Sequence, residues 1–124
     1  MMLVVRDCLK CIWCLVNLCN ENRVVIATNG GSEIVVNMLN SSVDGVVRRY
    51  LLEILSALSL LRVVWRELIS LGGVRFLAEE ASCGHGHMLS RERACQAIGL
   101  LGVTRRAHRM LVDLGAIDVL MEML

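Results

Sequence analysis

Apolar residues along the chain recur at helical rather than alternating intervals, and proline is absent. Between Val47 and Leu61, the residues Val47, Leu51, Ile54, Leu55 and Leu58 form one stripe, with Arg48, Arg49 and Glu53 off it. This predicts an amphipathic helix with a broad buried face. Asp44 and Gly45 precede it as start signals, and the Asp44 carboxylate is suited to cap the first free N–H groups. Val64, Leu68 and Leu71 then repeat at helical spacing over Arg62 to Leu71. The Gly72–Gly73 pair ends that segment, because glycine supplies the left-handed conformation that closes a helix. A third helix is predicted from Val74 to about Ser82.

The order long helix, short helix, glycine break, short helix recurs along the chain. Asp7 to Cys19 reads as long and Asn22 to Thr28 as short, with Gly30–Gly31 breaking before Glu33 to Asn40. Leu89 to Val103 is again long and Arg105 to Leu114 short, and Gly115 breaks before Ile117 to Leu124. Gly72 lies 42 residues after Gly30, and Gly115 lies 43 after Gly72. A near-constant period of this size is the mark of stacked helical repeats, in which each unit buries its apolar face against its neighbours. No linker or low-complexity segment separates the blocks. The chain is therefore expected to be one all-α array, divided as 1–29, 30–71, 72–114 and 115–124, with partial units at both ends.

Composition narrows the function classes. The chain of 124 residues is 56% hydrophobic, with 13 basic and 12 acidic residues. Charges interrupt the apolar runs: the longest stretch without Asp, Glu, Lys or Arg is Ala94 to Thr104, well short of the ~18 apolar residues of a membrane span. Arg6 and Asp7 cut off the opening MMLVV before a secretory core develops. A soluble protein with no membrane span is expected. The balanced charge leaves no electrostatic footprint for nucleic acid. Trp13, Tyr50, Trp65 and Phe76 are the only aromatic residues, too few for a base-stacking platform. Six cysteines without an export signal read as reduced thiols, which points to a cytoplasmic or nuclear location.

The stretch CIWCLVNLCNENR, Cys11 to Arg23, resembles the third helix of the armadillo repeat family, which carries Trp, then Asn four residues later, then Leu. Gly115-Ala116-Ile117-Asp118-Val119-Leu120-Met121-Glu122-Met123-Leu124 is similar to that family's second helix, and the stretches from Gly30 and Gly72 match it more loosely. The family often places proline at the start of this helix, where Glu33, Arg75 and Asp118 stand here. Acidic residues there suit the helix dipole, and Arg75 is the poorer fit. The resemblance covers nearly the whole chain. It implies a right-handed α-α superhelix with three helices per repeat, whose third helices line a concave groove.

In that family an Asn–Trp ladder on the third helices holds an extended peptide, and Trp13 and Asn17 match one rung. An amide can donate to and accept from a peptide backbone, and an indole offers a flat wall to an aliphatic stem or a cation. The aligned slots of the next repeats hold Glu53 and Ala57, then Gln96 and Leu100, so the ladder has one rung. Trp13, Asn17, Glu53 and Gln96 are the candidate groove contacts. Alanine at Trp13 and Asn17 is expected to weaken partner binding with helicity intact.

Cys8, Cys11, Cys14 and Cys19 superficially resemble an iron–sulfur ligand run. They lie in a helical segment, however, with Cys8, Cys11 and Cys19 within about an 80° arc, and the family has alanine at Cys11 and Cys14. Core packing is the expected role of these thiols. Cys83, His85 and His87, interleaved with glycines, offer three local ligands for zinc or copper and are the weak metal candidate. They fall where the family has a variable loop, and an ordinary loop is the preferred reading. His108 sits among Arg105, Arg106 and Arg109 without a catalytic companion, and a solvated helix face explains the cluster.

The expectation is thus a non-catalytic, cofactor-free scaffold or adaptor that binds a protein or extended peptide in its groove. The alternatives are a structural fragment of a larger multidomain armadillo protein and a metal-responsive helical domain. Leu120, Met121 and Leu124 at one end, and MMLVV at the other, lack polar capping helices. Self-association or neighbouring repeats are expected there.

Overall fold

The computed structural model describes residues 2–41, 44–82, 88–122 and 124, which form nine α-helices and no strand. In chain order these are α1 (Met2–Leu18), α2 (Asn20–Thr28), α3 (Gly31–Ser41), α4 (Gly45–Leu58), α5 (Arg62–Ser70), α6 (Val74–Ser82), α7 (Met88–Leu101), α8 (Arg105–Asp113) and α9 (Ala116–Glu122). They fall into three triplets of lengths 17, 9 and 11, then 14, 9 and 9, then 14, 9 and 7 residues. The predicted order of long and short helices is reproduced. The largest difference is at α1, which begins five residues before the predicted Asp7 and ends at Leu18.

Local chemistry explains the boundaries. Asp44 caps α4 as expected, its Oδ1 accepting from the backbone N–H of Val46 at 2.9 Å and of Val47 at 3.0 Å. Arg6 of α1 donates to the other carboxylate oxygen at 2.7 Å, which ties the cap to the first triplet. Hydrogen bonding by Arg6 and by the Val47 N–H holds the Asp44 pKa below its usual value. Gly30, Gly72 and Gly115 have φ of 82°, 71° and 75°, the left-handed region where an L side chain is strained. Gly73 has a second role, because a Cβ there would collide with Leu68 Cδ1 and meet Val36 Cγ2 at 2.9 Å. Its missing side chain lets α6 start directly against α5 and α3.

Helix α4 is the centre of the molecule. It packs against α1 on one side and α7 on the other, and also against α3 and α6. Residues 51–59 are all buried, with Leu51, Ile54, Leu55, Ala57 and Leu58 fully so. Each large aliphatic side chain removed from water in this way contributes about 2 kcal/mol. The amphipathic pattern expected for this helix is therefore incomplete: Glu53, off the apolar stripe by periodicity, is 5% exposed. A helix flanked on four sides keeps little solvent face whatever its sequence pattern.

The cysteines depart from expectation. Cys8, Cys11 and Cys14 are exposed along α1, and Cys19 is half-buried in the extended turn before α2. They do not pack in the core. The residues of α1 that do so are Leu9 and Val16, with Val5, Ile12 and Trp13 partly buried against it. Arg75, the poor fit at a helix start, lies 4.6 Å over the Phe76 ring and donates to Asn40 Oδ1 on α3. Among the described residues no helix is long and apolar enough to cross a membrane.

Candidate partner-binding groove

The long helices α1, α4 and α7 lie in sequence, α1 against α4 and α4 against α7. Two adjoining cavities open along them. One, of about 410 Å³, is lined by Trp13, Gly45, Val46, Arg49, Tyr50 and Glu53. The other, of about 280 Å³, is lined by Trp13, Asn17, Glu53, Leu89, Ser90 and Arg93. Trp13 and Glu53 border both. The indole is half-buried and meets Tyr50 edge to face, with ring centroids 6.0 Å apart and planes at 66°. That contact and the apolar residues beneath fix the ring as a rigid divider.

Asn17 is engaged within the fold. Its amide nitrogen donates to the Trp13 carbonyl at 2.7 Å, and its oxygen accepts from Arg93 Nη1 of α7. Two other polar residues of the Trp–Asn motif close the end of α1: Asn22 donates to the Leu15 carbonyl at 3.0 Å, and Arg23 Nε to the Val16 carbonyl at 2.6 Å. These carbonyls have no intrahelical partner at a helix C-terminus, so the side chains supply one. The motif thus has a structural role that its resemblance to a peptide ladder did not suggest.

Gln96 borders neither cavity. It is exposed on α7 two turns beyond Leu89 and one turn beyond Arg93, and Leu89, Ser90 and Arg93 stand at the groove instead. Ala57, near the end of α4, is fully buried. Tyr50, Arg49, Leu89, Ser90 and Arg93 were missed because matching slots between repeats ignores where two helices cross. Helical spacing from Leu89 to Arg93, with Ser90 adjacent, is the signal that marks this face.

The floor is electrostatically mixed. Arg49 and Arg93 stand beside Glu53, and burial with the nearby Arg23 charge depresses the Arg93 pKa. Behind Glu53 lies a second carboxyl, Glu80 of α6, only 2% exposed. Desolvation raises its pKa from 4.5 to about 7, aided by the charges of Glu53 and Glu79 and opposed by Ser90 and Arg49. Glu80 Oε1 and Ser90 Oγ are both buried without an aligned hydrogen-bond partner. Glu80 itself borders neither cavity, and Glu53, Ser90 and Arg49 stand between it and the groove.

Among the described residues no group of three or more His, Cys, Asp or Glu is placed to hold a metal ion. Cys83, His85 and His87 lie outside the described residues. His108 is exposed on α8 and borders an apolar cavity with Leu111, Val112 and Ile117. No protein-family model, curated protein or solved structure matches the chain.

Proposed function

We propose that the chain is a non-catalytic protein-binding module of the armadillo type, a right-handed solenoid of three-helix repeats that takes an extended segment of a protein partner. The observation that carries this reading is the pair of cavities along α1, α4 and α7, joined by Trp13 and Glu53. An elongated trough with a fixed aromatic divider suits a peptide whose alternate side chains enter successive pockets. Polar groups of both signs around an apolar wall would set its register. Asn17 and Arg93 act as a braced pair in this reading, and Trp13, Glu53 and Leu89 form the contact surface. Unpaired thiols at Cys8, Cys11, Cys14, Cys19 and Cys95 suit a reducing cytoplasmic or nuclear setting.

The test is selection of a phage-displayed peptide library on the purified chain. Enriched peptides should bind the Leu89→Glu and Val46→Glu variants about tenfold more weakly, a loss of ~1.4 kcal/mol. Both side chains are exposed and border the cavities, so the fold should tolerate the changes. Failure to enrich any peptide, or undiminished binding by both variants, would reject the groove.

A further inference from the structure

The arginines around His108 are half of a larger basic face that lies apart from the α1–α4–α7 groove. Helices α2, α5 and α8, the middle helix of each triplet, are each nine residues long. In all three, the first, second, fifth and ninth residues are exposed. These positions fall within about a 100° arc, so they form one outward stripe. The stripe is Asn20, Glu21, Val24 and Thr28 on α2. On α5 it is Arg62, Val63, Arg66 and Ser70, and on α8 it is Arg105, Arg106, Arg109 and Asp113. Helix α5 has a triplet on either side and its stripe is still exposed. The exposure is therefore set by how the triplets pack and not by an end of the chain.

The same contacts recur from one triplet to the next. Helix α3 packs on α4 and α5 as α6 packs on α7 and α8, and α1 packs on α4 as α4 packs on α7. Helices α5 and α8 thus hold equivalent places one triplet apart, with their stripes facing the same way. Together the two stripes carry five arginines against one carboxylate, Asp113. None of the five makes an ion pair or a hydrogen bond among the described residues. Glu67, next to Arg66 in the chain, instead accepts from Ser32 on α3. Arg62, Arg105 and Arg106 stand in the first turn of their helices, where the dipole disfavours a cation. Local stability does not account for them, and an external anion relieves both the dipole and the mutual repulsion.

We propose that the stripes of α5 and α8 bind a short acidic segment of a protein partner, its carboxylates on the arginines and its apolar side chains on Val63 and Val112. Guanidinium forks pair with carboxylates through two parallel hydrogen bonds. Val63 and Val112 are exposed among the arginines and offer apolar contacts that a phosphate backbone would not use. The stripes contain no aromatic ring to stack a base. The basic area is about 13 Å long and one helix spacing of ~10 Å wide, and Glu21 ends it at α2. That extent suits two turns of helix or a few extended residues. No residue of α5 or α8 lines the groove cavities, so the two surfaces act separately.

Fluorescence anisotropy with a labelled peptide of glutamates interrupted by leucines tests it. Binding to the wild-type chain should saturate, and should weaken about tenfold as salt rises from ~0.05 to ~0.3 M. Arg62→Glu with Arg66→Glu, and Arg105→Glu with Arg109→Glu, should each weaken it by at least about tenfold. All four side chains are exposed, and glutamate is favoured over arginine in a first turn. Thermal unfolding followed by circular dichroism should therefore be unchanged or slightly higher. A lysine version of the peptide should bind the variant with all four changes more tightly than it binds the wild type, which separates charge pairing from lost structure. The groove variants Leu89→Glu and Val46→Glu should bind the acidic peptide as the wild type does. A peptide that fails to saturate, a glutamine version that binds equally, or undiminished binding by both arginine variants would overturn the proposal. So would loss of binding in the groove variants, no gain by the lysine version, or tighter binding of oligothymidine or phosphatidylserine vesicles than of the acidic peptide.

Discussion

Glu80 gives the strongest quantitative test of the packing around α4. Its carboxyl is 2% exposed on α6, beside Glu53 of α4, and titrates near 7 in the folded chain against an ordinary 4.5. Below pH 4.5 the group is protonated in both the folded and unfolded states and has no net effect on stability. Between 4.5 and about 7 the folded state holds the proton and the unfolded state releases it, so stability falls as pH rises. Above 7 the full cost of a buried charge is felt. At 1.36 kcal/mol for each pH unit, the gap between the two values corresponds to about 3 kcal/mol as an upper bound. The same substitution should therefore have little effect at the acid end of the range and a large one at the basic end. Glu80→Gln keeps the shape and removes the charge. Urea unfolding should find it near wild type at pH 5 and up to about 3 kcal/mol more stable at pH 8. Glu53→Gln should lower the Glu80 pKa, because the Glu53 charge is the largest contributor after desolvation. Parallel stability profiles for wild type and Glu80→Gln from pH 5 to 8, or a less stable variant at pH 8, would refute the buried-carboxyl account.

The glycine pairs and the thiols give further tests. Gly73→Ala should cost about 1–3 kcal/mol in thermal unfolding, because its Cβ must displace Leu68 and Val36. Gly72→Ala meets open space and should cost about 1–2 kcal/mol through backbone strain alone, with Gly72→Asn recovering part of it. Equal effects of alanine and asparagine at Gly72 would argue against the left-handed turn. Cys8, Cys11 and Cys14 should react with an alkylating reagent in the native state faster than Cys95, whose half-buried thiol has its pKa raised by desolvation. Protection of the three α1 thiols to the level of Cys95 in the monomer would contradict their placement.

Trp13 was chosen from the resemblance of its motif to an armadillo third helix, and the structure places it at the border of both cavities. Asn17 was legible only by type. Its bonds to Trp13 and Arg93 depend on α7 lying beside α1, a contact between residues 76 apart in the chain. Gln96 was assigned by counting along the repeat, and it lies beyond the place where the helices enclose a cavity.

Most helix boundaries are legible in the sequence to within a few residues, the start of α1 being the exception. Asp44 caps through its own side chain, and Gly30, Gly72 and Gly115 turn the chain because residues without a Cβ occupy the left-handed region at little cost. These are local properties, carried by single residues and their immediate neighbours, and the triplet order follows from them. Which helix faces lose contact with water depends instead on how the helices pack. Glu53 and Glu80 are polar by type yet buried, and Cys8, Cys11 and Cys14 are apolar enough for a core yet exposed. Burial depends on how many helices surround a position, and periodicity along one helix carries no count of its neighbours.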